Sequence, residues 1–171
     1  RSTRKESSAA SDVYKRQRAN ERREWTLSLA PSRFSDGNQR WELGLAGRER
    51  VYTAPHLKAD LTLDLSTQRN NRDDAPYFNP RSDLMLLPGA RVTHTLYRRY
   101  ETAWEQIGTL GAGTYTQQGY GTGGVIALGY GQRYRANDVL DMGAMVTGIS
   151  RPYDGQRERE LRITFDLAYR F

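Results

Sequence analysis

Apolar and polar residues alternate along much of this chain, most clearly over residues 161–171. One face of that segment holds Leu161, Ile163, Phe165, Leu167, Tyr169 and Phe171, and the other holds Arg162, Thr164, Asp166, Ala168 and Arg170. A period of two predicts a β-strand, because successive side chains of a strand point to opposite faces of its sheet. An apolar face, a charged face and an aromatic last residue are typical of the closing strand of an outer-membrane β-barrel. The alternative is an ordinary half-buried antiparallel strand.

Seven further segments alternate in a similar way, so the chain predicts an all-β fold with about eight antiparallel strands. The predicted strands cover about residues 23–30, 40–52, 56–69, 83–98, 104–117, 124–134, 139–150 and 159–171. If the last strand ends at the periplasmic side, the four longer connections fall on the extracellular side and the three shorter ones on the periplasmic side. Outer-membrane barrels have this asymmetry of loops and turns.

The segment 56–69 separates its two faces most clearly. Leu57, Ala59, Leu61, Leu63 and Leu65 lie on one face, and Lys58, Asp60, Thr62, Asp64 and Ser66 lie on the other. In a membrane barrel the first face meets lipid and the second faces the lumen. Two irregularities remain: the pattern of 104–117 does not determine its phase, and Glu49 falls on the apolar face of its strand. The second irregularity predicts a bulge, or the end of the lipid-facing band, near Glu49.

Aromatic residues lie at or near the ends of the predicted strands. They are Trp25, Trp41, Trp104, Tyr130, Tyr134 and Tyr169. In a barrel these amphipathic rings would form two girdles at the membrane–water interfaces. Aromatic packing in a soluble core is the alternative.

Composition changes this interpretation little. A mean hydropathy of −0.82 over 171 residues excludes a helical membrane protein, but a barrel needs only alternate residues to be apolar. The chain has no cysteine, which excludes a disulfide framework and a metal–thiolate site.

The net charge of +6 does not indicate nucleic-acid binding. Five of the 26 basic and two of the 20 acidic residues lie within residues 1–17, which leaves a net charge of +3 for the rest. No basic cluster with interleaved aromatics remains, so we expect no nucleic-acid partner. Residues 1–17 lack the apolar core of a signal peptide and are interpreted as a non-native or disordered leader, with the barrel domain at 18–171. On that interpretation an export signal belongs to a missing upstream part.

Residues with catalytic potential are scarce. His56 lies beside a short turn and His94 lies on the apolar phase of its strand, away from the rim where barrel enzymes place a histidine with Asp or Ser. Asp73 and Asp74 could bind a divalent cation, but adjacent carboxylates in a proline-containing loop are more often a solvated turn. We therefore predict no enzymatic activity, no metal site and no cofactor.

Several stretches resemble a known family. They are Leu29-Ala-Pro-Ser-Arg-Phe-Ser-Asp-Gly-Asn38, Arg72-Asp-Asp-Ala-Pro-Tyr-Phe-Asn-Pro80, His94-Thr-Leu-Tyr-Arg-Arg-Tyr100 with Trp104-Glu-Gln106, Tyr120-Gly-Thr-Gly-Gly124 and Arg151-Pro-Tyr-Asp-Gly155. With them, residues 21–171 resemble the C-terminal barrel region of the poly-β-1,6-N-acetyl-D-glucosamine export porins. These porins release a biofilm polysaccharide through the outer membrane of Gram-negative bacteria. The resemblance implies periplasmic tetratricopeptide repeats upstream and a sixteen-stranded barrel, of which this chain would form the second half.

The resemblance also implies a substrate, partners and site residues. The substrate is a partly de-N-acetylated, weakly cationic amino-sugar polymer, and the partners are outer-membrane lipid, the barrel-assembly machinery and a periplasmic deacetylase. Phe171, with Tyr169 two residues before it, resembles the signal that the assembly machinery reads. The loop residues Asp73, Asp74, Tyr77 and Phe78 are further candidates on the extracellular side.

An acidic pore would suit this cargo, because carboxylates attract cations while weak binding lets them leave. The alternation places Glu24, Glu42, Asp60, Asp64, Asp141 and Asp166 on lumen faces, with Glu105 added if strand 104–117 turns Trp104 outward. Arg50, Lys58, Arg91, Arg133, Arg162 and Arg170 interleave with them. The near balance departs from a purely acidic pore, and pairs of opposite charge across strands could equally be structural.

Three other classes of protein share some of these features. A general diffusion porin or another barrel translocator would share the alternation but not the Asp73–Pro80 stretch, and a soluble β-sandwich commonly has about eight strands. A rim-active envelope enzyme would need a catalytic constellation that the sequence lacks. Eight strands can also close as a barrel of their own.

Overall fold

A single antiparallel sheet contains every strand of the protein that the structure describes. The computed structural model describes residues 13–20, 22–33, 39–71, 82–137, 139–153 and 156–170. The nine strands are β1 (Val13–Asn20), β2 (Arg23–Arg33), β3 (Gln39–Thr53), β4 (Leu57–Asn70), β5 (Ser82–Arg99), β6 (Thr102–Gln117), β7 (Gly121–Ala136), β8 (Leu140–Tyr153) and β9 (Gln156–Tyr169). Their spatial order follows the chain from β1 to β9, so the fold is an up-and-down meander. Within the described ranges, no helix has the length and apolarity needed to cross a membrane.

The sheet is open and curved. Among the described residues β1 and β9 do not pair with each other, while residues of β2, β3 and β8 line one cavity. The strands therefore form a half-barrel, whose inner surface we call the concave face and whose outer surface we call the convex face. A small buried cluster on the concave face joins Leu87, Tyr115 and Val125 from β5, β6 and β7.

The register confirms the facial split predicted for residues 56–69. Asp60 lies opposite Arg91 and is 2 % exposed on the concave face, whereas Leu61 lies opposite Ala90 and is 55 % exposed on the convex face. Pairing also determines the phase of β6, which its own pattern left open. Trp104 pairs with Tyr134 on the convex face, and Glu105 pairs with Arg133 on the concave face.

Three shifts of register lie at the same end of the sheet, one of them between Arg18 and Asn20 in β1, and we call those in β3 and β5 the two bulges. The register shifts between Arg50 and Tyr52 in β3 and between Thr95 and Tyr97 in β5. The first confirms that a bulge lies near Glu49, although Glu49 precedes it and keeps its place on the convex face. There Glu49 Oε1 accepts hydrogen bonds from Arg23 Nε at 2.9 Å and Arg23 Nη2 at 2.7 Å. A cation on the neighbouring strand thus compensates its charge.

Strand β1 was not predicted. Residues 1–17 were expected to lie outside the fold, but the backbone of Val13–Asn20 pairs with β2. Residues 13–17 are thus ordered as part of β1, residues 1–12 lie outside the described ranges, and the interpretation of 1–17 as a non-native or disordered leader stays a prediction. The physical reason is that a strand edge presents unpaired N–H and C=O groups, which any extended segment can satisfy without alternating side chains.

The asymmetry of loop lengths holds at only two of the four predicted positions. The β2–β3 and β4–β5 connections, 34–38 and 71–81, are long. In contrast, 118–120 and 154–155 are no longer than the turns at the other end of the sheet. The prediction was wrong there because main-chain pairing continues past the apolar alternation, as at Tyr153, which pairs with Gln156.

The aromatic residues are distributed unequally between the two ends. On the convex face, Trp25, Trp104, Tyr130, Tyr134 and Tyr169 lie towards the end with the two bulges, and Trp41 lies towards the other. Trp104 Nε1 donates to Gln132 Oε1 at 2.9 Å, and Gln132 Nε2 donates to the Tyr130 hydroxyl at 3.1 Å. The first end therefore has a connected aromatic band, whereas only one of the six predicted residues lies at the second.

Candidate pore wall on the concave face

Charged side chains of both signs cover the concave face. The acidic residues in this phase are Glu24, Glu42, Asp60, Asp64, Asp83, Glu105, Asp141, Glu158, Glu160 and Asp166. The basic residues are Arg40, Arg48, Arg50, Lys58, Arg91, Arg98, Arg133, Arg135, Arg151, Arg162 and Arg170. This surface is nearly neutral overall, in agreement with the balance in the sequence.

Ion pairs between adjacent strands join many of these charges. Arg48 Nη2 lies 2.6 Å from Glu24 Oε2, and these residues are directly opposite each other in β2 and β3. Arg50 likewise bonds to Asp60, its partner in β4. Opposite charges at facing positions stabilise strand pairing, so these carboxylates already have cationic partners.

The predicted acidic residues fall into two groups. Asp60 and Asp141 are held by arginines: Arg133 Nε donates to Asp141 Oδ1 at 2.7 Å, and Arg135 Nε lies 3.7 Å from Asp141 Oδ2. Asp64 and Asp166 form no ion pair with any described residue, although Asp64 shares a cavity of about 290 Å³ with Glu24 and Arg48. The two free carboxylates are the ones that can meet a cation without first breaking a salt bridge.

Glu42 and Glu105 occupy intermediate situations. Glu42 Oε1 lies 3.7 Å from Arg40 Nη1. This distance is short enough for an ion pair but too long for a hydrogen bond. Glu105 is half-buried and faces Arg133 across the β6–β7 pairing. The structure therefore places all seven predicted lumen acids, Glu24 included, on one face, but in different states of pairing.

A group of polar and aromatic side chains lies at the end of the concave face opposite the two bulges. We call Arg40, Gln68, Asp83, Tyr115, Arg151 and Tyr153 the rim cluster; they line one cavity of about 440 Å³. The Tyr115 hydroxyl donates to Asp83 Oδ2 at 2.9 Å, and the Gln68 backbone N–H donates to Asp83 Oδ1 at 3.0 Å. Asp83 therefore has both carboxylate oxygens engaged.

Sequence reasoning missed the rim cluster. Asp83 precedes Leu84, so alternation alone could have placed it on the lumen face. Tyr115 lay in the segment whose phase was undetermined, and Arg151 and Tyr153 lay in a predicted loop that is in fact the end of β8. Only curvature and register bring these residues together.

The remaining predicted residues lie elsewhere. Tyr169 is on the convex face, opposite Leu140 and 58 % exposed. Asp73, Asp74, Tyr77, Phe78 and Phe171 lie outside the described residues. His94 is exposed on the convex face, and the described residues contain no group of three or more metal-ligating side chains.

Comparison with known proteins determines the family of this half-barrel. The model of the PgaA membrane β-barrel domain matches residues 2–171. The chain belongs to this family. The match includes most of the segment interpreted as a leader, and it places the sheet in the bacterial outer membrane, with the convex face towards lipid and the concave face towards the lumen.

Individual relatives agree with this assignment. The chain is 43 % identical over 162 residues to the poly-beta-1,6-N-acetyl-D-glucosamine export proteins of Escherichia coli strain K12 and Escherichia coli O157:H7. That alignment covers 95 % of this chain and 20 % of each relative, so the chain spans about a fifth of their length. A solved structure described as a bacterial polysaccharide outer membrane secretin matches with a TM-score of 0.88 and 43 % identity, over 95 % of this chain and 56 % of that one. The family resemblance seen in the sequence is thereby confirmed.

Proposed function

We propose that the full-length protein containing this chain exports poly-β-1,6-N-acetyl-D-glucosamine through an outer-membrane pore, and that the concave face forms part of the pore wall. The observation that carries this proposal is the 43 % identity, over 95 % of the chain, to proteins named for this export. The polar concave face and the exposed apolar convex face supply the physical basis. A sixteen-stranded barrel, about half of it formed by these strands, fits the 56 % coverage of the related structure.

The charge arrangement suits a long polymer that must keep moving. A wall with many unpaired carboxylates would bind glucosammonium units at many points at once and slow their departure. Here Asp60 and Asp141 are neutralised by arginines, while Asp64 and Asp166 are not paired within the described ranges. Attraction is therefore confined to a few positions, which keeps the overall binding of the polymer weak.

Transport rather than catalysis is the proposed activity. The relatives are named for export, and the described residues of the concave face offer salt bridges and amides rather than a nucleophile beside a base. Cargo would pass by exchanging contacts with fixed side chains, and no covalent step is required.

The proposed partners follow from the same family. Outer-membrane lipid would cover the convex face, the barrel-assembly machinery would read Tyr169 and Phe171, and a periplasmic deacetylase would deliver the polymer. Deleting Phe171 from the full-length protein should lower its abundance in the outer membrane without changing export per folded molecule. Unaltered abundance with lost export would assign Phe171 to transport instead.

Expression of the full-length protein in bacteria that lack their own exporter tests the main proposal. Surface polymer, measured with a probe specific for poly-N-acetylglucosamine, should be restored. A folded protein in the outer membrane that restores no polymer would contradict the proposal. Passage of unrelated small solutes into liposomes by the same protein would then favour a general diffusion porin.

A further inference from the structure

We infer that the rim cluster is a binding subsite for an uncharged, N-acetylated hexosamine unit of the polymer. This inference rests on the proposed function and adds a place on the wall where one kind of sugar unit is preferred. It depends on the way β8 ends, on an arginine held between two aromatic rings, and on the balance of charge around the cavity.

The end of β8 separates from β7 and folds towards the concave face while it stays paired with β9. Pairing of β7 with β8 stops at Ile126 and Ser150, so Arg151 and Tyr153 pair only with β9. Gly123 lies beside Tyr115 in the β6–β7 register, and a Cβ on Gly123 would come within 2.7 Å of Pro152 Cγ. The missing side chain therefore gives the end of β8 room to fold over β7.

Arg151 consequently reaches the ring of Tyr115. Its guanidinium carbon lies 5.7 Å from the centre of that ring and 5.6 Å from the centre of the Tyr153 ring, which are distances of cation–π contacts. Arg151 makes no hydrogen bond within the described residues, its Nε is buried, and Glu158 Oε2 lies 3.9 Å from that atom. The two aromatic rings thus orient the planar guanidinium, and its N–H donors stay available to a ligand.

The cavity beside this arginine has the size of a ligand site and a mainly polar lining. Its volume of about 440 Å³ falls within the ~300–1,000 Å³ that small-molecule pockets occupy, and such pockets combine aromatic walls with a few fixed polar groups. The Tyr115 ring is buried, so the half-buried Tyr153 supplies the ring that can pack against the C–H face of a pyranose. The guanidinium can donate to hydroxyl or acetamido oxygens, and the Gln68 side chain offers both a donor and an acceptor.

The charges that line the cavity favour a neutral unit. Arg40 and Arg151 balance Glu42 and Asp83, and Asp83 is already bonded to Tyr115 and Gln68. A glucosammonium unit would bring a second cation to Arg151 and has no carbonyl to accept from it. An N-acetylated unit has that carbonyl and no charge. The two carboxylates make a phosphate or another anion a poorer ligand than the neutral sugar.

Binding to the purified full-length protein tests this inference. The probes are a β-1,6-linked N-acetylglucosamine oligosaccharide, its fully de-N-acetylated counterpart and inorganic phosphate. The acetylated oligosaccharide should bind most tightly, and Arg151→Gln and Tyr153→Ala should each weaken it by about tenfold, the loss expected when a hydrogen bond or an aromatic contact to a ligand is removed. The matched control is Arg162→Gln, which removes a concave-face arginine bonded to Glu160 and lying outside this cavity.

Several outcomes would overturn the inference: equal binding of the two oligosaccharides, tighter binding of phosphate, or unchanged affinity in both rim variants. If either variant fails to fold, wild-type protein with isotope-labelled tyrosine supplies the second measurement, with Tyr153→Phe used to assign the signal of Tyr153. The acetylated oligosaccharide should shift that signal, and an unmoved signal at saturation would also contradict the subsite. If these binding experiments fail while the parent protein still exports polymer, only the subsite is refuted. If the parent protein exports no polymer, the proposed function is refuted.

Discussion

Two regions of the concave face are stabilised by different kinds of side chain. In β2–β4 the inward residues are mainly polar, and ion pairs such as Arg48 with Glu24 connect neighbouring strands. In β5–β8 many inward positions are glycine, and inward apolar residues such as Leu87 and Val125 bury one another. A Cβ on Gly113 would lie 1.9 Å from the Leu86 carbonyl oxygen. Glycine therefore permits a close approach of backbones there.

The comparison shows that a polar lumen face is not uniform. Where strands are spaced regularly, long charged side chains can extend from the wall and pair with each other. Where glycines let the strands crowd together, side chains cover their neighbours and the wall becomes partly apolar. The convex face does not differ in this way, because lipid imposes the same requirement on both regions.

The largest expected effect tests this common requirement. Leu61 in β4 and Leu128 in β7 lie on the convex face, 55 % and 58 % exposed. Replacing either with arginine should destabilise the folded full-length protein by ~2–4 kcal/mol if the residue lies near the bilayer midplane. The measurement is the urea midpoint of folding into lipid vesicles. Normal folding of both variants, with Thr62→Leu failing instead, would show that the faces are exchanged.

A somewhat smaller loss is expected from breaking an ion pair in β2–β4. Asp60→Ala would leave Arg50 without its carboxylate, and because Arg50 keeps some contact with solvent the cost should be about 2–3 kcal/mol, below the ~3–5 kcal/mol of a fully buried pair. Asp64→Ala is the matched control: it lies on the same face of the same strand and has no ion pair in the described structure. Its urea midpoint should hardly change. Equal losses in the two variants would show that pairing does not distinguish them.

The glycines of β5–β8 can be tested in the same way. Gly113→Ala should cost ~1–3 kcal/mol or more, because the added methyl overlaps a backbone carbonyl that cannot move without disturbing β5. Gly108→Ala in the same strand is the control, since nothing lies within 4 Å of a Cβ at that position. Heat-modifiable gel migration in detergent reports the folded fraction of each. A folded fraction in Gly113→Ala equal to that of Gly108→Ala would remove the close-approach explanation.

The smallest effect concerns transport. Replacing Asp64 and Asp166 together with asparagine should lower polymer secretion at constant barrel abundance by about twofold, in line with the ~0.2–1 kcal/mol of exposed charge interactions. Asp141→Asn, which removes an acid already held by Arg133, should change secretion less. Higher ionic strength should lower secretion by the parent protein towards the level of the double variant. A larger defect in Asp141→Asn would reverse the distinction between paired and free acids.

Local alternation by itself determined which residues of β4 and β9 face each way, because a strand's period of two is a property of the chain alone. Specific stretches such as Arg151–Gly155, rather than alternation, led from the sequence to the correct family. Alternation could not determine the phase of β6, where glycines remove the contrast between the two faces. Nor could it find β1, whose pairing depends on backbone groups rather than on side chains.

Tertiary structure decided what the concave face can do. Asp60 and Asp64 look alike in the sequence, yet Arg50 neutralises one and leaves the other free, because the β3–β4 register puts Arg50 opposite Asp60. Likewise Asp83, Tyr115 and Arg151 come from three strands and meet only because β8 bends over a glycine. Alternation determines which face of each strand is polar. The partners of a charged side chain depend instead on register and curvature, which are set by all the strands together.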